Sequence, residues 1–409
     1  MKKLCSTVVA GSLLAIQVSG ASVKNVMERA QKGELLNVVF FGGSLTWGAN
    51  ASDPNVSSWR GLTMKFLRGK YPRTSWQFKD SAIGGTGSTL GVFRMERDVF
   101  RHNPDLVLLD FTLNDNLLGG EKGLHDERNQ SYEAIIRECV KRKVAVLPVF
   151  TVSKKHAEMQ DISTLKRRLE HIELFKKYNL DYADILGLMN QEYQKGKIDT
   201  SVLWPAGLFD VTHPHDAGYA AYTELFIREW NRIESSPEKQ PVLPQEFVSG
   251  KTFSNLLRVN LPELKLNGWK VCYPCPVSDC FDWLASRYLD KVVTQANAEQ
   301  ISGTKWQYNG GKLEPFTFKV KAERLAALIE TVPESVPFSV SVDGREPVEI
   351  KCREVSRSQL HFVTLASGLE PGKWHTITVI PKNPADNTPG VMRWGALLLN
   401  SSSETEFSL

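Results

Sequence analysis

Between Leu35 and about Ile233, short apolar runs alternate with longer amphipathic stretches. Leu35–Phe41, Leu106–Phe111 and Val144–Phe150 are nearly continuous β-branched and aromatic segments, as expected of strands covered on both faces. Between them, Trp59–Gly69, Thr89–His102, Tyr132–Arg142, Ile162–Tyr178 and Ala217–Arg232 read as helices. This alternation predicts an α/β layer fold with a mostly parallel central sheet. Ligands bind such sheets beyond the carboxyl ends of the strands. Ser44 follows the first run and Asn114 the second, so the fold itself would bring them together.

The pattern changes after Ile233. Glu234–Pro241, with Pro244 beyond it, is a proline-rich polar stretch that reads as a boundary. Short alternating segments follow at Phe316–Val320, Ala326–Val332, Phe338–Val342, Val348–Cys352, Leu360–Leu365, Thr376–Ile380 and Met392–Leu399. Turn signals such as Asp343-Gly344 and Pro371-Gly372 separate them, which predicts an all-β sandwich. The expected organisation is a signal peptide over 1–21, a catalytic unit over 22–235, a linker over 236–247 and a sandwich over 248–409. The tail Ser401–Leu409 should fray.

The signal peptide rests on Met1-Lys2-Lys3, the apolar stretch Leu4–Val18 and the small residues Ser19-Gly20-Ala21. Cleavage is placed after Ala21, and Cys5 lies too early for acylation as a lipoprotein. No later segment approaches the ~20 apolar residues that span a bilayer. The expectation is therefore an exported protein, periplasmic or extracellular, with no integral membrane segment after processing. The formal charge of +4 falls to +2 without Lys2 and Lys3. No single-sign field points to nucleic acid.

Five cysteines would remain: Cys139, Cys272, Cys275, Cys280 and Cys352. The odd number leaves at least one outside any intramolecular pair. Cys139 lies in an amphipathic run and should pack as a small apolar residue. For the cluster Cys272-x2-Cys275-x4-Cys280, a local disulfide ranks ahead of free thiols and of a zinc site, which usually wants a second paired knuckle.

Candidate chemistry starts at Gly42-Gly43-Ser44-Leu45-Thr46, where a buried strand breaks into a loop. Glycines there permit a sharp turn and let a substrate approach the main chain closely. A serine nucleophile needs a base, an orienting acid and donors for the oxyanion. Asp210-Val211-Thr212-His213 supplies acid and base three residues apart, a spacing that lets the carboxylate reach Nδ1 and leaves Nε2 facing Ser44. His215, with Asp216 beside it, competes with His213. The glycine-rich loop Ser81–Ser88 presents main-chain N–H groups but lacks a Walker lysine and a dinucleotide fingerprint. Asn114 places an amide at the same sheet edge, although asparagine also forms turns for their own sake.

Together, Gly42–Thr46, Gly84-Gly85-Thr86-Gly87, Asn114-Asp115 and Asp210–His213 resemble, in order and spacing, the four blocks of the SGNH (GDSL-type) hydrolases. The resemblance covers roughly Leu35 to Arg232. It implies a three-layer hydrolase fold, Ser44 as nucleophile and oxyanion donor, Gly85 and Asn114 as further donors, Asp210 as acid and His213 as base. Gly84 competes with Gly85 for its role. The family's usual aspartate before the serine is Gly43 here, and its usual glycine two before the asparagine is Thr112. No metal or organic cofactor is expected.

The family hosts several ester and thioester hydrolases, so the substrate must come from other features. The leader, the appended sandwich and the aromatics Trp47, Trp59 and Trp204 lean toward an acylated polysaccharide or oligosaccharide, because aromatic faces suit sugar rings. Removal of O-acetyl groups from a polysaccharide is the expected activity. The rival enzyme reading is a GDSL-type lipase or lysophospholipase. A rival of another class is a glycan-binding surface protein with a vestigial hydrolase site.

Overall fold

Four parallel strands, β1 (Leu35–Gly42), β2 (Ser75–Asp80), β3 (Leu106–Asp110) and β4 (Ala145–Pro148), lie in the order β2-β1-β3-β4. The chain leaves β1 for β2 on one side, then returns past it to β3 on the other. That reversal puts a topological switch point at the carboxyl ends of β1 and β3, where α/β folds bind ligands. The computed structural model describes residues 21–251, 253–272, 292–295, 298–302, 305–308, 312–350, 359–383 and 390–409. Residues 1–20 of the expected leader, Cys275, Cys280 and Cys352 lie outside the described residues.

β1 and β3 are buried almost throughout, which explains their unbroken apolar sequence. β2, which the hydrophobic pattern missed, is an edge strand whose residues alternate between exposed and half-buried. Helices Val23–Lys32, Trp59–Lys70 and Asp216–Ser235 pack together on one face of the sheet. Ser88–Gly91, Glu127–Lys141 and Lys166–Lys177 cover the other, as right-handed crossovers in opposite directions require. Cys139 is fully buried on Glu127–Lys141, and burial pushes its thiol up to about 12.

The helix expected over Thr89–His102 is instead broken into Ser88–Gly91, Val92–Arg94, Met95–Asp98 and Phe100–His102. Two local demands coincide with the breaks. Gly91 presses on the Phe111 ring so closely that a Cβ would sit 2.7 Å from it. Arg94 turns its guanidinium inward over Phe41 to reach the Ser81 carbonyl and Asp98.

Beyond the catalytic layers the described strands are β5 (Leu257–Asn260), β6 (Lys270–Cys272), β7 (Val292–Gln295), β8 (Ala298–Ser302), β9 (Lys305–Tyr308), β10 (Phe316–Lys321), β11 (Arg324–Thr331), β12 (Phe338–Val342), β13 (Val348–Ile350), β14 (Gln359–Ser367), β15 (Trp374–Pro381), β16 (Met392–Asn400) and β17 (Glu406–Ser408). They form an antiparallel sheet β13-β12-β15-β10-β17 and another, β14-β11-β16-β7-β6, with β5 also paired to β16 and β8 to β9 as a separate hairpin. The two sheets share one core, where Phe338 meets Trp394 at 5.3 Å between ring centroids.

Every residue of β11 and β16 is buried. Leu325, Ala327, Ile329, Leu397 and Leu399 face the partner sheet, whereas Ala326, Leu328, Ala396 and Leu398 join the hydrophobic core of the α/β layers. This sheet is therefore covered on both faces, which is why its strands lose the alternation of a half-exposed sandwich. The tail does not fray as expected. β17 pairs with β10, Phe407 packs on Phe318, and Lys321 binds Glu404 and Glu406.

Candidate active site

β1 ends at Gly42, and two glycines make the exit possible. A Cβ on Gly42 would lie 2.6 Å from the Asp110 carbonyl oxygen, and one on Gly43 would lie 2.3 Å from Asn114 Oδ1. The residue that stands where the family's usual aspartate would be is thus small because Asn114 occupies the space. Ser44 opens the short helix Ser44–Trp47, closed by Gly48 at φ +98. Ser44 is 7% exposed, so it is recessed rather than displayed.

His213 Nε2 lies 2.7 Å from Ser44 Oγ, and His213 Nδ1 lies 2.7 Å from Asp210 Oδ2. Asp210 Oδ1 accepts the main-chain N–H groups of Thr212 and His213 at 2.8 and 3.0 Å. Burial opposes ionisation of Asp210, but the bonds from His213 and Thr212 outweigh it and hold the carboxyl below the usual carboxylate range. A charged carboxylate, an imidazole and a hydroxyl thus stand in one hydrogen-bonded line. Such a line can move a proton from the hydroxyl to Nε2 while the carboxylate steadies the ring.

His215 takes no part in that line. It sits before helix Asp216–Ser235, and its main-chain N–H donates to the Leu203 carbonyl. The Asp216 beside it accepts from the Ser52 amide and from the Ser52 and Ser57 hydroxyls.

Three candidate donors are carried on the segments that leave β1, β2 and β3 at this end of the sheet. The Ser44 N–H belongs to the first turn of a helix and has no intrahelical acceptor. Gly85 is exposed at φ +72 in a tight turn, and its N–H bonds to no protein group among the described residues; Gly84 is buried. The half-buried Asn114 follows β3, and its amide donates to no protein group among the described residues. The loops carrying Gly85 and Asn114 are tied together. Asp115 Oδ1 accepts the Ser88 N–H at 2.9 Å, and Gly87 leaves room for that carboxylate. Thr112, in place of the family's usual glycine, hydrogen-bonds buried His171 beneath this loop.

Two of the three expected sugar-facing tryptophans are core residues. Trp59 is fully buried between Phe40 and Phe226. Trp204, 2% exposed, packs near Tyr222 and directs its indole N–H at the Thr212 carbonyl, supporting the acid–base loop from below. Neither has a face to offer a ligand; only Trp47 is partly exposed. Sequence reading missed Phe209, which is 96% exposed at φ +51 immediately before Asp210. It also missed buried Asp110, which accepts the Thr46 and Thr151 hydroxyls behind Ser44 and whose carboxyl burial pushes up to about 6. An aspartate closing a buried strand was the available signal for Asp110. Among the described residues, no group of three or more His, Cys, Asp or Glu could hold a metal ion.

Residues 40–221 match the model of the GDSL-like lipase/acylhydrolase family, and this part of the chain is a domain of that family, a carboxylic ester hydrolase. A two-domain esterase described as active on acetylated mannans has the same fold across both parts. At 21% identity it covers 94% of this chain and 96% of its own, with a TM-score of 0.69. Its structure co-crystallised with mannopentaose gives the same identity and TM-score over 95% of this chain and 97% of that one. An acetyl xylan esterase covers 48% of this chain and 100% of its own at 20% identity, with a TM-score of 0.39. A search of curated proteins gives no significant match.

Proposed function

We propose that the protein is an exported serine esterase that removes O-acyl groups, chiefly O-acetyl, from a polysaccharide. The observation that carries this reading is the line from Asp210 through His213 to Ser44, on loops that also carry three N–H donors without a protein partner among the described residues. Ser44 Oγ attacks the acyl carbon as its proton passes to His213 Nε2. The N–H groups of Ser44 and Gly85 and the Asn114 amide receive the oxyanion. Collapse breaks the bond to the sugar oxygen, which leaves as an alcohol with the proton from His213. Water, deprotonated by the same nitrogen, then cleaves the acyl-enzyme and releases the carboxylic acid.

Several features favour a carbohydrate over a long-chain lipid. Phe209 and Val211, both exposed, flank Asp210 and offer apolar surface at the site. An exposed aromatic ring suits the apolar face of a sugar. The leader sequence supports export, and no helix among the described residues is long and apolar enough to cross a membrane. The fold shared with an esterase active on acetylated mannans makes acetylated mannan the first polysaccharide to test, ahead of acetylated xylan and pectin.

The test compares wild type and Ser44→Ala on p-nitrophenyl acetate, butyrate and palmitate, and then on the acetylated polysaccharides. Preference for the acetate ester and acetate release from a polysaccharide are expected, both lost in the variant. Preference for palmitate would overturn the deacetylase reading, and full activity in the variant would overturn the serine mechanism.

A further inference from the structure

One side chain from the loop that follows Ser44 reaches into the acid–base loop. Asn50 Nδ2 lies 3.1 Å from Asp210 Oδ2 and 3.2 Å from the His213 carbonyl oxygen. Oδ2 is the same oxygen that receives the His213 Nδ1–H. Asn50 adopts φ +67, a left-handed conformation that asparagine tolerates better than most residues. Its loop is fixed on both sides. The Tyr219 hydroxyl donates to the Ala49 carbonyl at 2.6 Å, the Ala49 N–H donates to the Ser44 carbonyl, and Ser52 is bound to Asp216.

Asp210 is already held through Oδ1 by two main-chain donors, but Oδ2 must point along the imidazole plane for His213 to face Ser44. A second donor on Oδ2 removes the remaining rotation of the carboxylate. The contact to the His213 carbonyl sets the main chain that carries the ring. A clasp of this kind couples the position of nucleophile to base across 160 residues of sequence. Aspartate at the same position would have the same shape, no N–H, and a negative charge against Asp210.

We infer that Asn50 is a positioning residue of the esterase site, holding Asp210 and His213 in register with the loop that carries Ser44. The inference rests on the reading of these three residues as the reacting set. The test uses the full chain and the variants Asn50→Gly, which accepts φ +67 but removes both bonds, and Asn50→Asp, which adds repulsion. Asn50→Gly should lower kcat on p-nitrophenyl acetate about 10- to 100-fold, the scale of a small misplacement of reacting groups, with KM nearly unchanged. Asn50→Asp should lose more. The low-field proton resonance of the His213 Nδ1–H, present in wild type, should shift or broaden in both.

Wild-type kcat in Asn50→Gly, while Ser44→Ala is inactive, overturns the role of Asn50 and leaves the serine mechanism standing. A loss of kcat that only follows a loss of folded protein, with the resonance unmoved, overturns it as well. Full activity in Ser44→Ala would instead defeat the underlying reading.

Discussion

Two histidine–aspartate pairs of almost equal geometry stand in this molecule, one in each part. His213 Nδ1 is 2.7 Å from Asp210 Oδ2, and His375 Nδ1 is 2.8 Å from Asp343 Oδ2. In both, the second carboxylate oxygen accepts main-chain N–H groups, those of Thr212 and His213 in one and that of Thr376 in the other. Hydrogen bonds hold both carboxyls below their usual range, with the His375 bond the leading cause for Asp343. What differs is the far nitrogen. His213 Nε2 faces the Ser44 hydroxyl, which has a proton to give, whereas His375 Nε2 faces the Glu370 carbonyl at 3.2 Å, which has none. In the proposed mechanism one pair transfers a proton; the other clamps the Asp343-Gly344 turn to the start of β15. A carboxylate–imidazole pair is therefore a mount, and the atom at its far end decides what it does.

The comparison can be broken experimentally, beginning with the largest effect. Ser44→Ala and His213→Ala should each lower kcat on p-nitrophenyl acetate by about 10⁶-fold, because the group acts as a unit. Asp210→Asn keeps the shape of the mount but favours the wrong tautomer, and a loss of about 10⁴-fold is expected in the same assay. Asn114→Ala removes one proposed oxyanion donor and should reduce kcat by about 10²–10³-fold, read from steady-state kinetics. His375→Ala should leave kcat unchanged and lower Tm by about 2–4 °C for each kcal/mol lost, measured by calorimetry. A fall in kcat without a fall in Tm would mean the second pair is not the inert mount described.

The smallest effect concerns pH. Burial pushes the Asp115 carboxyl up to about 7 from 3.8, although the Ser88 N–H and Arg167 partly offset it. The fold disfavours its charged form, so this group's contribution to stability declines as pH rises through that interval. Asp115→Asn keeps an acceptor for the Ser88 N–H and carries no charge. Its Tm advantage over wild type should open as pH rises from about 4 and level off above about 7. A Tm difference constant across that range would refute the assignment.

Much of this organisation was legible in the chain. The strands β1 and β3 were visible as unbroken apolar runs because burial on both faces leaves no polar positions. The placement of Ser44 and Asn114 at one edge followed from the topology those runs imply. Strand β2 was not visible, since Ser75–Asp80 lies at an edge and its two aromatics, Trp76 and Phe78, pack sideways on each other. Trp59 and Trp204 were read as ligand-facing because aromatic identity carries no information about which side of the chain is covered. Phe209 escaped notice for the opposite reason: its exposure depends on a left-handed backbone that its residue type does not announce. Asn50 was invisible because its partners lie 160 residues away.

The buried Glu133 has a practical consequence for anyone dissecting the molecule. Its carboxylate receives the Val248 and Ser249 N–H groups, the Ser249 hydroxyl and the Tyr178 hydroxyl, and it is 0% exposed. Three of those four donors come from chain beyond Ser235. A shortened hydrolase ending there would keep the acid in its pocket, with Arg137 4.0 Å away, but discard three of the four donors that hold it. It would also remove Leu328 and Leu398, which now complete the hydrophobic core of the α/β layers, and leave the part of that core they cover open to water. The smallest piece that keeps the hydrolase core whole is accordingly longer than the segment matching the family, and expression trials should extend at least through β16.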